Sequence, residues 1–267
     1  MGVSVPTTGR NSLAIDVGRG ISICCPATGF PVLPGREYGR CMGEMIDFPS
    51  NGSNAVGYLA RPEGGAGPGV IVIQEWWGLV DHIIDVCDRF AAAGFVALAP
   101  DLYHGVTVAE PDEAGKAMMA LRMDQAARDM SGAVDEVVRQ SGSPHIGVIG
   151  FCMGGGLALV LATQRPDAVS AVVACYGVIP WPDAQPDYSA LTAAVLGHYA
   201  SDDDFFTPAA AEALGEQLRG LGKEAEIIVY AGTDHAFFND TRPEVYNAAA
   251  AAQVWERSLA FFRSHLS

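Results

Sequence analysis

Residues 148–156 read Val-Ile-Gly-Phe-Cys-Met-Gly-Gly-Gly, and no other stretch restricts the fold as much. A β-branched run passes through one glycine into a cysteine, then into small residues of helical character. A strand must therefore turn sharply into a helix with Cys152 at the corner. The corner residue takes a strained conformation, and side chains two positions before and after it would block the turn, hence Gly150 and Gly154. The rest of the chain supplies the sheet that such a strand needs. Residues 70–74 (VIVIQ) form a continuous β-branched run, as expected of a strand buried on both faces. Residues 81–93 place Ile83, Ile84, Val86, Cys87 and Phe90 on one helical stripe that ends at Gly94.

Strand patterns at 55–60 (an edge strand), 95–99, 146–150, 168–175, 193–199 and 225–230 alternate with helical ones at 112–140, 153–164, 208–220 and 247–265. Such alternation predicts an α/β fold with a mostly parallel central sheet and helices on both faces. Sites in these sheets gather in the loops at the carboxyl ends of the strands. Residues 1–41 show no lasting period of 2 or 3.6 and read as an N-terminal extension of flexible composition; the folded domain is expected over 42–267.

Composition excludes several classes of function. Sixteen Lys and Arg against 31 Asp and Glu leave a net charge of −15, which repels nucleic acid and anionic membranes. No apolar run approaches the ~20 residues of a membrane span. With no export signal read at the start, the six cysteines are expected as reduced thiols and the protein as cytoplasmic. No metal-ligand spacing and no phosphate-binding glycine loop is present, so neither a metal nor another cofactor is expected. A monomer or small homo-oligomer is expected.

The chemistry starts at the corner. The turn lifts the Sγ of Cys152 above a helix N-terminus, whose dipole favours an anion, and the next amide, on Met153, points where an oxyanion would form. A nucleophile there needs a base and an acid downstream, in the order nucleophile, acid, His. His265 lies near the chain end on an amphipathic helix and reads as solvated; His198 lies within an apolar strand and reads as a core residue. His235 follows the strand EIIVY and the loop AGTD, where a base belongs. The acid must follow the strand AVLGHY, whose loop reads ASDDDFFTP. Asp203 is the choice, with Asp202 and Asp204 as alternatives. On the other wall, VIVIQ runs into Glu75, Trp76, Trp77 and Gly78. The Trp76 amide falls where a second oxyanion donor belongs, and an acid at Glu75 needs a partner if it is buried. Trp76, Trp77 and Phe238 are candidate apolar pocket walls, and APDLYHG (99–105) brings Tyr103 and His104 into consideration.

With these motifs assembled, residues from about 42 to 264 resemble the dienelactone hydrolase family of α/β-hydrolases. The resemblance is carried by VIVIQEWWG (70–78), APDLYHG (99–105), GFCMGG (150–155), DDDFFTP (202–208) and DHAFF (234–238). It implies a triad of Cys152, His235 and Asp203, oxyanion donation from the Trp76 and Met153 amides, and a Glu75 that interacts with the nucleophile and helps control its ionisation. The expected activity is hydrolysis of a small ester or lactone through a thioester acyl-enzyme. The chain departs from the family at the arginines that bind the substrate carboxylate: Phe238 and Asn239 stand where one is expected after the His, and 105–121 offers only Lys116. With that departure and a net charge of −15, a dianionic dienelactone is an awkward ligand; an arginine pair above Cys152 would restore it, and an apolar wall of Trp76, Trp77 and Phe238 would favour a neutral ester. The alternative is a non-catalytic, small-ligand-binding or redox-responsive member of the same fold.

Overall fold

The computed structural model describes residues 43–266; the extension read over 1–41 lies outside the described residues. Eight strands form one sheet: β1 (Gly43–Ser50), β2 (Ser53–Ala60), β3 (Gly69–Ile73), β4 (Val96–Pro100), β5 (Ile146–Phe151), β6 (Val169–Cys175), β7 (Ala194–Asp202) and β8 (Ala225–Asp234). Their spatial order is β1-β2-β4-β3-β5-β6-β7-β8. β1 and β2 pair antiparallel, as do β2 and β4, and every other neighbouring pair is parallel.

Six helices cover the sheet: α1 (Asp81–Ala92), α2 (Pro111–Met119), α3 (Met123–Ser141), α4 (Met153–Gln164), α5 (Pro208–Gly220) and α6 (Ala248–His265). The pleat of the buried strands divides the core in two. On β3, Ile71 and Ile73 belong to one apolar cluster with Met130 and Val134 of α3, Leu157 of α4 and Leu214 of α5. The alternate residues Val70 and Val72 belong to a second cluster with Ile83 and Phe90 of α1 and Val254 and Phe262 of α6. A strand that is apolar at every position is the expected result of helices on both faces. Among the described residues no helix is long and apolar enough to cross a membrane.

Two readings change. The strand expected at the edge over 55–60 is interior, because β1 lies outside it, paired from Gly43↔Ala60 to Ser50↔Ser53. The two strands are joined by Asn51-Gly52 at φ 41° and 101°, a two-residue turn that suits the twist of a hairpin. The helical span over 112–140 is two helices. It breaks at Ala120–Arg122, where the Met118 carbonyl accepts both the Leu121 N–H and the indole N–H of Trp181, each at 3.2 Å.

Candidate active site

Cys152 sits between β5 and α4 at φ 56° and ψ −123°. The two glycines flanking it are steric necessities. A Cβ on Gly150 would lie 1.9 Å from the Gly154 carbonyl oxygen, and one on Gly154 would lie 2.5 Å from the carbonyl oxygens of Ile73 and Gln74. The corner is pinned by main-chain bonds: the Cys152 N–H donates to Cys175 O (3.1 Å), and its carbonyl accepts from Gly155 N (3.0 Å) and Val178 N (3.1 Å). A non-glycine residue in this conformation costs about 1–3 kcal/mol, a strain that the surrounding bonds sustain.

The register of β7 and β8 determines which aspartate meets His235. Both strands run past the body of the sheet and, after an irregularity between Ala200 and Asp202, pair Asp202 with Asp234. The next residue on each strand is therefore Asp203 or His235, side by side. His235 Nδ1 and Asp203 Oδ2 are 2.7 Å apart, with the carboxylate fully buried. Asp203 Oδ1 accepts the amides of Phe205 (2.8 Å) and Phe206 (3.0 Å), which fixes the carboxylate plane. Burial pulls the His235 pKa down, but hydrogen bonds from Asp203 and Cys152, with their negative charges, outweigh it and lift the pKa to about 10. His235 is thus paired with Asp203 and lines the same cleft as Cys152. Asp202 and Asp204 lie at the mouth of the cleft.

The cleft above Cys152 has a volume of about 250 Å³. Glu75, Trp76, Trp77, Phe205, His235 and Arg242 contribute to its walls. Trp76 and Trp77 meet edge-to-face at 5.1 Å. Phe205, 67% exposed, lies 6.2 Å from Trp76 and 4.9 Å from the imidazole of His235. Met153 opens α4, where the first N–H groups have no acceptor within the helix. Among the described residues, neither its amide nor that of Trp76 donates to a protein acceptor. Glu75, 1% exposed, accepts from Asn239 Nδ2 (2.7 Å) and Tyr176 Oη (3.4 Å).

Other candidates fall elsewhere. Phe238 is 2% exposed and stacks on Phe151 at 5.1 Å behind the site; it is core, not pocket wall, because the turn after His235 directs it inward. Tyr103 is nearly buried, its hydroxyl 3.5 Å from Met153 Sδ, and it lines a second groove, with Leu102 and His104, and not the cleft that holds Cys152. His104 turns away to Asp129 (3.3 Å). His198 is a core residue between Tyr230 Oη (3.0 Å) and Ser258 Oγ (3.4 Å); burial, and then the charge of Arg257, push its pKa down to about 3, so it stays neutral. His265 is not freely solvated: it is partly buried, 3.3 Å from Glu224. Cys87 and Cys175 are fully buried thiols whose pKa burial pushes up, with nearby carboxylates adding to it. No three His, Cys, Asp or Glu side chains among the described residues group as metal ligands would.

Sequence reasoning missed Tyr176, the role of Asn239, and Arg242. Arg242 overturns the expectation of a cleft without arginine. It stands over the Trp77 ring at 5.3 Å and pairs with Glu244 at 2.7 Å. The only signal was its place seven residues after His235 in the same DHAFFNDTR segment.

The chain is similar to known proteins of one family over most of its length. The profile of the dienelactone hydrolase family matches residues 56–266. The Protein usf of Aquifex pyrophilus is 37% identical over 234 residues, covering 85% of this chain and 100% of that protein. A provisionally named carboxymethylenebutenolidase of Aquifex aeolicus is 34% identical, over 84% of this chain and all of the relative (100%). The crystal structure of a provisionally named dienelactone hydrolase from Klebsiella pneumoniae superposes with a TM-score of 0.76 at 32% identity, covering 84% of this chain and 98% of that one.

Proposed function

This chain belongs to the dienelactone hydrolase family, and on that premise we propose that it hydrolyses small esters or lactones with Cys152 as nucleophile, His235 as acid–base and Asp203 as the group that orients His235. The observation that carries this reading is the pairing of Asp203 with His235 in the cleft that also holds Cys152, with two free amides at that site. The Cys152 sulfur attacks the carbonyl carbon, and the oxyanion accepts from the Trp76 and Met153 N–H groups, each worth about 3 kcal/mol in comparable sites. Collapse breaks the C–O bond; the leaving alkoxide takes the proton held on His235 Nε2, and a thioester remains on Cys152. His235 then takes a proton from water, whose oxygen attacks the thioester. Collapse releases the carboxylic acid and the sulfur returns to its starting state.

Incubation with a p-nitrophenyl short-chain acyl ester should release p-nitrophenol, and mass spectrometry of the quenched reaction should find one acyl group on the peptide holding Cys152. An acyl group on any other residue, or none during turnover, rejects the assignment.

Arg242 supports a substrate that carries an anion. The name carboxymethylenebutenolidase, borne by the Aquifex aeolicus relative, denotes a lactone with a carboxyl group. In this chain the guanidinium is held by Glu244, whose side chain is 56% exposed. Exposed pairs are weak, so an incoming carboxylate competes for it. Arg242→Gln is expected to raise KM about tenfold or more for an ester bearing a carboxylate, and less than about twofold for a neutral ester of equal size. Equal effects on both substrates would remove Arg242 from substrate recognition.

A further inference from the structure

We propose that Asn239, oriented by Thr241, and Tyr176 are positioning residues that hold the Glu75 carboxylate at the wall of the cleft that also contains Cys152, an inference that rests on the hydrolase reading above. A buried carboxylate is costly unless it is hydrogen-bonded. Among the described residues, the hydrogen bonds to Glu75 come from two neutral groups, the Asn239 amide on Oε2 (2.7 Å) and the Tyr176 hydroxyl on Oε1 (3.4 Å).

The Asn239 amide has no freedom to turn. Its Oδ1 accepts from both Thr241 N (3.0 Å) and Thr241 Oγ1 (2.6 Å), which fills both acceptor sites and leaves Nδ2 toward Glu75. A flipped amide would set its NH2 against two donors and its oxygen against the carboxylate. The main chain fixes the residue as firmly. Asn239 N donates to Ala236 O at 2.9 Å, Ala236 takes φ 65°, and Phe237 and Phe238 are buried between them. One tight turn thus carries His235 at its start and the anchor of Glu75 at its end.

Tyr176 makes the same connection from another strand. It follows β6 at φ 39°, its N–H donates to His198 O at 2.6 Å, and its ring meets the His235 imidazole edge-on at 5.1 Å while its hydroxyl reaches Glu75. Burial and the charge of Glu75 push the phenol pKa well up, so the group remains an O–H donor. Two separate elements therefore each touch both His235 and Glu75, and together they set the spacing between the imidazole and the carboxylate. Removing one donor lets the carboxylate rotate, which disturbs the chemical step and leaves substrate affinity nearly intact.

A double-mutant cycle on the full chain tests this, with kcat and KM for p-nitrophenyl acetate and Tm as readouts. Asn239→Leu is expected to lower kcat about tenfold with KM within about twofold. In a Glu75→Gln background the same change should alter kcat by less than about twofold, because the group it positions is already gone. Thr241→Val should act in the same direction and more weakly. Asn239→Asp should be most impaired, relative to wild type, at neutral pH and recover toward about pH 5, where a proton shared by two facing carboxyls restores a donor. Equal losses from Asn239→Leu in both backgrounds, or no loss in the wild-type background, would overturn the proposal. If Asn239→Leu does not fold, Tyr176→Phe, which removes one oxygen, replaces it in the cycle with the same expected pattern. If wild-type protein releases no p-nitrophenol, the hydrolase reading fails separately. The rate of Cys152 alkylation by iodoacetamide then reads the same cycle: non-additive rates support the positioning role and additive rates reject it.

Discussion

Cys152→Ala is expected to slow ester hydrolysis by at least about 10⁴-fold, down to the residual rate that oxyanion donors and binding provide without a nucleophile. The variant keeps the cleft, the amides of Trp76 and Met153 and the pair between His235 and Asp203. It loses only the atom that forms the bond. Two measurements separate this from a folding defect. Alanine at this corner retains the cost of φ 56°, so the fold should be affected little. Cys152→Gly relieves that strain and should be more stable than Cys152→Ala by about 1 kcal/mol, yet equally inactive. The imidazole also reports the change. Two of the interactions that hold the His235 pKa near 10 come from Cys152, so in Cys152→Ala its NMR titration midpoint should fall. Retention of activity within about tenfold of wild type would mean that the carbonyl is attacked by some other group, and the role given to the corner would be lost.

The parts of this protein that were legible in the sequence are those set by local sterics and by burial. Gly150 announces a turn because the clash that excludes a side chain there, 1.9 Å from the Gly154 carbonyl oxygen, involves residues four apart. The run VIVI (70–73) announces a doubly covered strand because every residue in it is apolar. β1 was harder to see: Glu44 and Asp47 are exposed along it, its inward residues are few, and only Asn51-Gly52 marked the hairpin. Asp202 and Asp204 stayed open beside Asp203 because which aspartate meets His235 depends on the pairing of Asp202 with Asp234 across a register shift, a non-local fact. The partners of Glu75 were hidden for the same reason, since Tyr176 and Asn239 lie 101 and 164 residues away. Phe238 misled because closeness in sequence to His235 says nothing about which side of a tight turn a side chain occupies.

Asp203→Asn should lower kcat by about 10⁴-fold, the cost of the same exchange in serine triads, while leaving KM nearly unchanged. The asparagine oxygen can still accept the Phe205 and Phe206 amides that Asp203 Oδ1 accepts now, so the loop is expected to hold. Its NH2 then faces His235 Nδ1, where the carboxylate oxygen stood at 2.7 Å. A donor there demands a lone pair on Nδ1, which moves the imidazole proton to Nε2, the nitrogen that must take a proton from water in the second half of the reaction. The base becomes a donor pointing at the nucleophile. The exchange also has a pH signature. The folded-state pKa of His235 is raised from 6.5 to about 10, so the stability it contributes is fully present below about pH 6.5 and is lost as pH rises through about 10. With the Asp203 carboxylate gone, one of the main forces raising that pKa is gone too. The fall in Tm between about pH 7 and 10 should therefore be shallower in Asp203→Asn than in wild type. A variant that kept its activity, or that lost activity while its Tm fell with pH as steeply as before, would show that Asp203 does not control His235.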